Sequence, residues 1–249
     1  MNLKKIAAGS LMVGICATTV PASVFAMESM SSGSMMSSTE MISIPKSALG
    51  HIVTSFQNLL SEVKMMTHKT DTKAADLRVL LNALERQHVD LASAAVRAGF
   101  DGHASFPKVA AELDTNSIAI ADAVGSVYGT AARDSFLKIW RSHIGYFVDY
   151  TVAAKAGDKV KMDAAVSNLT NIYVPSIADF FSKANPNLPY DAVAQLVTAH
   201  VLHLKAAVDT YGAGDFAGSY KSQTEAYNQI GTIADTLAGG IVKQYPEKF

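Results

Sequence analysis

Phe136-Leu137-Lys138-Ile139-Trp140-Arg141-Ser142-His143-Ile144-Gly145-Tyr146-Phe147-Val148-Asp149-Tyr150 decides how the chain is read. Phe136, Ile139, Trp140, Tyr146, Phe147 and Tyr150 recur at the spacing of one helical stripe, so the stretch predicts an amphipathic helix. His143 stands inside that stripe, one turn after the only tryptophan. The same placement recurs at His88 and His200, at separations of 55 and 57 residues. The helix is therefore one copy of a repeating unit.

Each histidine helix is followed by a Gly-then-Asp break: Gly99-Phe100-Asp101, Gly157-Asp158 and Gly214-Asp215. Glycine ends a helix in the left-handed conformation and aspartate caps the next one. The second helices share Ile120-Ala121-Asp122, Ile177-Ala178-Asp179 and Ile233-Ala234-Asp235. Asp122 to His143 and Asp179 to His200 are both 21 residues. Pro175 should kink or restart the middle copy's second helix. Ahead of the repeats, Pro45 and the periodic Leu49, Ile52, Val53, Phe56, Leu59, Leu60, Val63 and Met66 predict an N-terminal helix to about Thr67. Thr70-Asp71-Thr72 offers the next cap. Period-two alternation is nearly absent, so no sheet is expected. The expected fold is all-α, an antiparallel helical bundle of three helical-hairpin pseudo-repeats plus one N-terminal helix.

The chain start reads as an export signal. Lys4-Lys5 is basic, residues 6–20 are apolar, and Val24-Phe25-Ala26 suits cleavage after Ala26. Val13-Gly14-Ile15-Cys16 places a bulky residue before the cysteine, unlike a bacterial lipobox. The expected domains are a signal peptide at 1–26, a flexible Met/Ser-rich leader at 27–43 and a single helical-repeat domain at 44–249. Cys16 is the only cysteine, so the cleaved protein has none and must rely on its core. Localisation is expected outside the cytoplasm: periplasmic, cell-surface or secreted. Cleavage leaves 19 basic against 22 acidic residues, a net charge of about −3 with His neutral, and no basic cluster. Nucleic acid is therefore not an expected partner. Nor does the sequence hold a second apolar span after the signal.

Two sets of residues suggest chemistry. The leader carries Met27, Met30, Met35, Met36 and Met41 among small polar residues, which reads as a solvated linker or as a soft thioether tract for Cu(I). The helices carry Glu85-x-x-His88 and His200-x-x-His203, each a pair of potential ligands on one helical face. With His143, these are the candidate metal ligands, and Trp140 and Tyr146 are candidate pocket residues for a cofactor. Copper, iron and haem are the cofactors considered. A di-iron bundle would need two Glu-x-x-His pairs, and one is present; covalent haem would need Cys-x-x-Cys-His, which is absent. The alternative is structural: histidines pinned across the bundle to Asp122, Asp179, Asn116 or tyrosine hydroxyls, in an envelope or extracellular interaction protein. His103 reads as a cap-region residue beside Asp101-Gly102. No phosphate loop or Gly-x-Ser-x-Gly elbow is present, and enzyme activity has the least support.

Tyr128-Gly129-Thr130-Ala131-Ala132, Trp140-x-x-His143-Ile144, Ala156-Gly157-Asp158, Ala184-Asn185-Pro186-Asn187 and the terminal Gly240-Ile241-Val242-Lys243-Gln244-Tyr245-Pro246-Glu247-Lys248-Phe249 resemble a widespread bacterial family of helical-repeat proteins. The resemblance covers about residues 76–249, with the C-terminal signature its most specific part. It implies the fold and carries no activity. Where relatives hold Tyr-Tyr-Gly and an Asn in each second helix, this chain has Val127-Tyr128-Gly129, Asn116 and Tyr173.

Overall fold

A computed structural model describes residues 70–249 throughout and, before them, residues 54, 55, 57, 58 and 61. The expected export signal and leader, His51 and His68 lie outside the described residues. The chain divides into two compact units, Met1–Val53 and Thr54–Phe249, and the second holds all that follows. Thr54, Ser55, Gln57, Asn58 and Ser61 are helical and exposed, in keeping with the polar side of the expected N-terminal helix.

The helices are α1 (Lys73–Asp101), α2 (Phe106–Tyr128), α3 (Thr130–Ala156), α4 (Lys159–Asn168), α5 (Val174–Ala184), α6 (Tyr190–Gly212) and α7 (Phe216–Gln244). Among the described residues there is no strand. None of the described helices is long and apolar enough to cross a membrane. The caps follow the local chemistry. The Thr72 hydroxyl accepts from the Ala75 N–H, Asp158 from Lys161 and Asp215 from Gly218. Gly157 ends α3 at φ 68°, a conformation a Cβ would strain.

Copy one departs from the expected break. α1 runs through Gly99-Phe100-Asp101 and stops at Gly102, φ 70°. Asp101 caps nothing, because its carboxylate accepts a 2.6 Å hydrogen bond from the Tyr211 hydroxyl, and Phe100 packs edge-on against Tyr211 at 5.7 Å. The middle copy restarts as expected, with α5 beginning at Val174 and Pro175 in its first turn. A π-helical turn, Leu169–Tyr173, joins α4 to α5 and ends just before that proline. Proline has no N–H for the carbonyl four residues back, and a widened turn accommodates the missing bond.

The three histidine helices α1, α3 and α6 all touch one another in the centre. Each second helix bridges two of them: α2 lies on α1 and α3, α5 on α3 and α6, and α7 on α6 and α1. The three hairpins thus close into a ring with pseudo-threefold order. The repeated Ile-Ala-Asp explains itself in this arrangement. Ile120, Ala121, Ile177, Ala178 and Ala234 are buried, while Asp122, Asp179 and Asp235 face outward to Arg133, Lys183 and Arg78. Phe136, Trp140 and Phe147 of the opening stretch are buried in the main core, each worth roughly 1.5–3 kcal/mol of transfer free energy.

Gln244 of the terminal stretch forms a clasp with Tyr128, Ala184 and Asn185. Buried Asn185 donates to the Tyr128 hydroxyl (3.0 Å), which donates to Gln244 (3.1 Å), whose amide donates to the Ala184 carbonyl (2.9 Å). This network ties the ends of α2, α5 and α7 together.

Candidate functional site

Because the three repeats close around a centre, their equivalent positions meet there. His88, His143 and His200 converge, exposed to 0 %, 2 % and 3 %. Nε2 of His143 lies 3.4 Å from Nε2 of His88, and the His88 and His200 ring centroids are 6.4 Å apart. One turn earlier on the same helices stand Glu85, Trp140 and Val197, so pseudo-symmetry is broken by an acid and an indole. Trp140 packs against both His88 (4.8 Å) and His143 (4.7 Å). The second helices contribute a matching layer, six residues before each Ile-Ala-Asp aspartate: Asn116, Tyr173 and Gln229. Tyr173 stacks on His143 at 4.5 Å and 26°, and Gln229 lies beside His200.

The layer is buried, and its electrostatics follow from that. Burial raises the Glu85 carboxyl to about 8, so it is mostly protonated at neutral pH. Burial also lowers His143 to about 3 and His200 to about 4, and holds His88 well below its ordinary value, with the neighbouring imidazoles pushing it the same way. All three rings are therefore neutral, the form that ligates metals. Burial raises the Tyr173 phenol as well, and the nearby Glu85 adds to it.

The hydrogen bonds expected of packing pins are not made. Asn116 donates instead to the Leu84 carbonyl and the Gln87 side chain, both at 3.0 Å. Left without partners are Glu85 Oε2, Asn116 Oδ1, Gln229 Oε1, Trp140 Nε1, Nδ1 of His88 and His143, and both ring nitrogens of His200. Within the His88–His143 pair one Nε2 must donate to the other. One ring then keeps an unused lone pair at Nδ1 and the other an unused N–H. With Glu85 protonated, unmet donors and unmet acceptors stand side by side in the layer.

Two cavities flank it. A small one of about 30 Å³, room for a water-sized group, is bordered by Glu85, Trp140, Tyr173 and His200. A larger one of about 420 Å³ has His88 and His143 in its inner wall. Among the described residues, no three His, Cys, Asp or Glu side chains stand ready to hold a metal ion as they are placed.

The expected ligands divide accordingly. Glu85, His88, His143 and His200 come together with Trp140. His203, half-exposed, does not join them and faces Glu225 on α7 at 3.4 Å. Tyr146 is partly buried against the core and makes no ring contact with the histidines. His103 is exposed and accepts from the Ser105 N–H at the α1–α2 turn, a cap-region role. Gln229 escapes a reading of the histidine helices alone, although counting back six residues from Asp235 reaches it. No family model matches the chain, and neither a curated protein nor a solved structure is similar to it.

Proposed function

We propose that this is an exported, non-catalytic binding protein that takes a first-row transition-metal ion, copper or iron foremost, into the histidine layer. One observation carries the reading: a fully buried layer of imidazole, carboxyl and amide groups whose polar atoms are left without partners. Each unmet polar atom costs on the order of 1–3 kcal/mol, and a cation satisfies several at once. Imidazole nitrogens, a carboxylate and amide oxygens form a mixed N/O donor set suited to iron, zinc or Cu(II). The small cavity beside Glu85 and His200 is the place for the ion. Binding needs the side chains to turn inward from their present rotamers and needs Glu85 to give up its proton.

Ring packing favours a second reading, in which the histidines are aromatic filling between Trp140 and Tyr173 in an envelope interaction protein. The two part on metal content. Protein purified from its native compartment should carry metal. The metal-free form should regain it on dialysis against Cu(II), Zn(II) or, without oxygen, Fe(II) and Cu(I). His143→Ala and His200→Ala should each weaken uptake at least tenfold while the circular dichroism stays helical. Absence of metal, together with no change in melting temperature with any of these ions or haem, would sink the reading. Uptake that survives both changes but vanishes on deleting residues 27–41 would move the site to the leader.

A further inference from the structure

The 420 Å³ cavity shares only His88 and His143 with the histidine layer, and it has the build of an organic-ligand site. Its space comes from sequence. Four residues after the repeat histidine, α3 places Phe147 and α6 Leu204 but α1 only Ala92, and with Ala95 and Ala207 also small, space is left along α1. The walls are mainly aliphatic and aromatic. Ser219 turns its hydroxyl to the Ala207 carbonyl and Thr151 to the Phe147 carbonyl, so neither presents a free polar group. An apolar cavity of about 150 Å³ accommodates benzene, so this one has room for a body of two or three rings or a medium-length chain.

The cavity opens to solvent between the α1–α2 turn and α3. Its rim includes Val148 and Val152, exposed to 42 % and 64 %, with Gly102, Ala104 and Pro107 opposite. Two cations lie close to the chamber. Arg97 is in the wall, its guanidinium on Gln223 and over the Tyr220 ring. Lys155 Nζ would lie 3.5 Å from a Cβ on Gly102. Among the described residues neither is paired with a carboxylate. The one acid of the turn, Asp101, is engaged by Tyr211.

We propose that this cavity binds a small amphiphilic anion: an apolar aromatic or medium-chain body in the chamber, with its carboxylate or sulfonate at the mouth between Arg97 and Lys155. The site goes beyond metal binding and does not depend on it.

Anilinonaphthalene sulfonate has this chemistry and is the probe. The metal-free, native protein should bind it at one saturable site, and decanoate should compete. Arg97→Gln should weaken the probe at least fivefold while leaving uncharged naphthalene unchanged, a split that a general loss of structure cannot produce. Ala92→Phe fills the chamber, and Val152→Trp covers the mouth from an exposed position that tolerates a large side chain. Each should lower affinity tenfold or more with the melting temperature preserved. If Ala92→Phe unfolds the chain, Val152→Trp decides. The proposal is overturned if binding is unsaturable, if decanoate does not compete, or if Val152→Trp binds as well as the parent.

Discussion

Glu85 is the residue whose environment conflicts most with its chemistry. Its equivalent in the third repeat is Val197, so the fold does not require an acid there. The folded carboxyl titrates near 8 against an unfolded value of 4.5, so between these values the folded state holds the extra proton. Stability from this group is present at low pH and is lost as pH rises toward 8, with a limiting slope of about 1.4 kcal/mol per pH unit. The histidines act in the opposite sense. Their folded values are depressed below 6.5, so stability is full above 6.5 and falls as pH drops toward about 4 and 3, the values of His200 and His143. The metal-free protein should therefore be most stable near pH 6 to 7. Glu85→Leu should flatten the alkaline limb, raise stability at pH 8 by roughly 1–4 kcal/mol, and abolish metal uptake. Denaturant melts at pH 5, 6, 7 and 8 measure this. An unchanged alkaline limb would mean that Glu85 is not buried as the protonated acid.

At the scale of the helix, the sequence is legible where the cause is local and opaque where it is not. Gly157-Asp158 and Gly214-Asp215 could be read as breaks because the glycine and the cap act on their own backbone. Gly99-Phe100-Asp101 could not. There α1 runs on to its left-handed cap at Gly102, and Tyr211, 110 positions away from Asp101, contacts both Phe100 and Asp101. The π turn at Leu169–Tyr173 is hidden for the same reason, since only its neighbours fix how a segment before Pro175 widens. Periodicity placed the three histidines on inward faces, but it could not report that their partners would be one another. Within α7, Gly240 is a position where packing decides. A Cβ there would come within 2.7 Å of Leu188 Cδ2, on a side chain only 1 % exposed. Gly240→Ala should cost about 1–3 kcal/mol by overpacking. Gly145 is on the exposed side of α3, where an added Cβ would meet nothing within 4 Å, so Gly145→Ala should stabilise by about 0.5–1 kcal/mol. Paired thermal melts give the sign of each. Equal effects at the two sites would contradict the close α7 approach to Leu188.

The closed ring makes the histidine layer a property of the whole molecule, since α1 and α7 must meet before the first and third repeats can present His88 and His200 together. Any ion in that layer binds the folded chain alone, and so stabilises it by mass action. At free metal one hundred times the dissociation constant the gain is about 2.7 kcal/mol, a shift of roughly 5–10 °C for a unit of this size. The pH dependence of that shift identifies the ligands. Ordinary histidine sites lose metal as the imidazoles protonate near 6.5. Here the imidazoles are already neutral across that range, and the proton that must leave belongs to Glu85. Affinity should thus rise up to tenfold per pH unit between about pH 5 and 8, then level off, adding about 3–5 °C per unit to the metal-induced shift at fixed free ion. In Glu85→Gln the metal shift should be smaller and flat over the same range. A wild-type shift that instead levels by pH 7 would mean that the departing proton is not that of Glu85, and would take the ion out of the core.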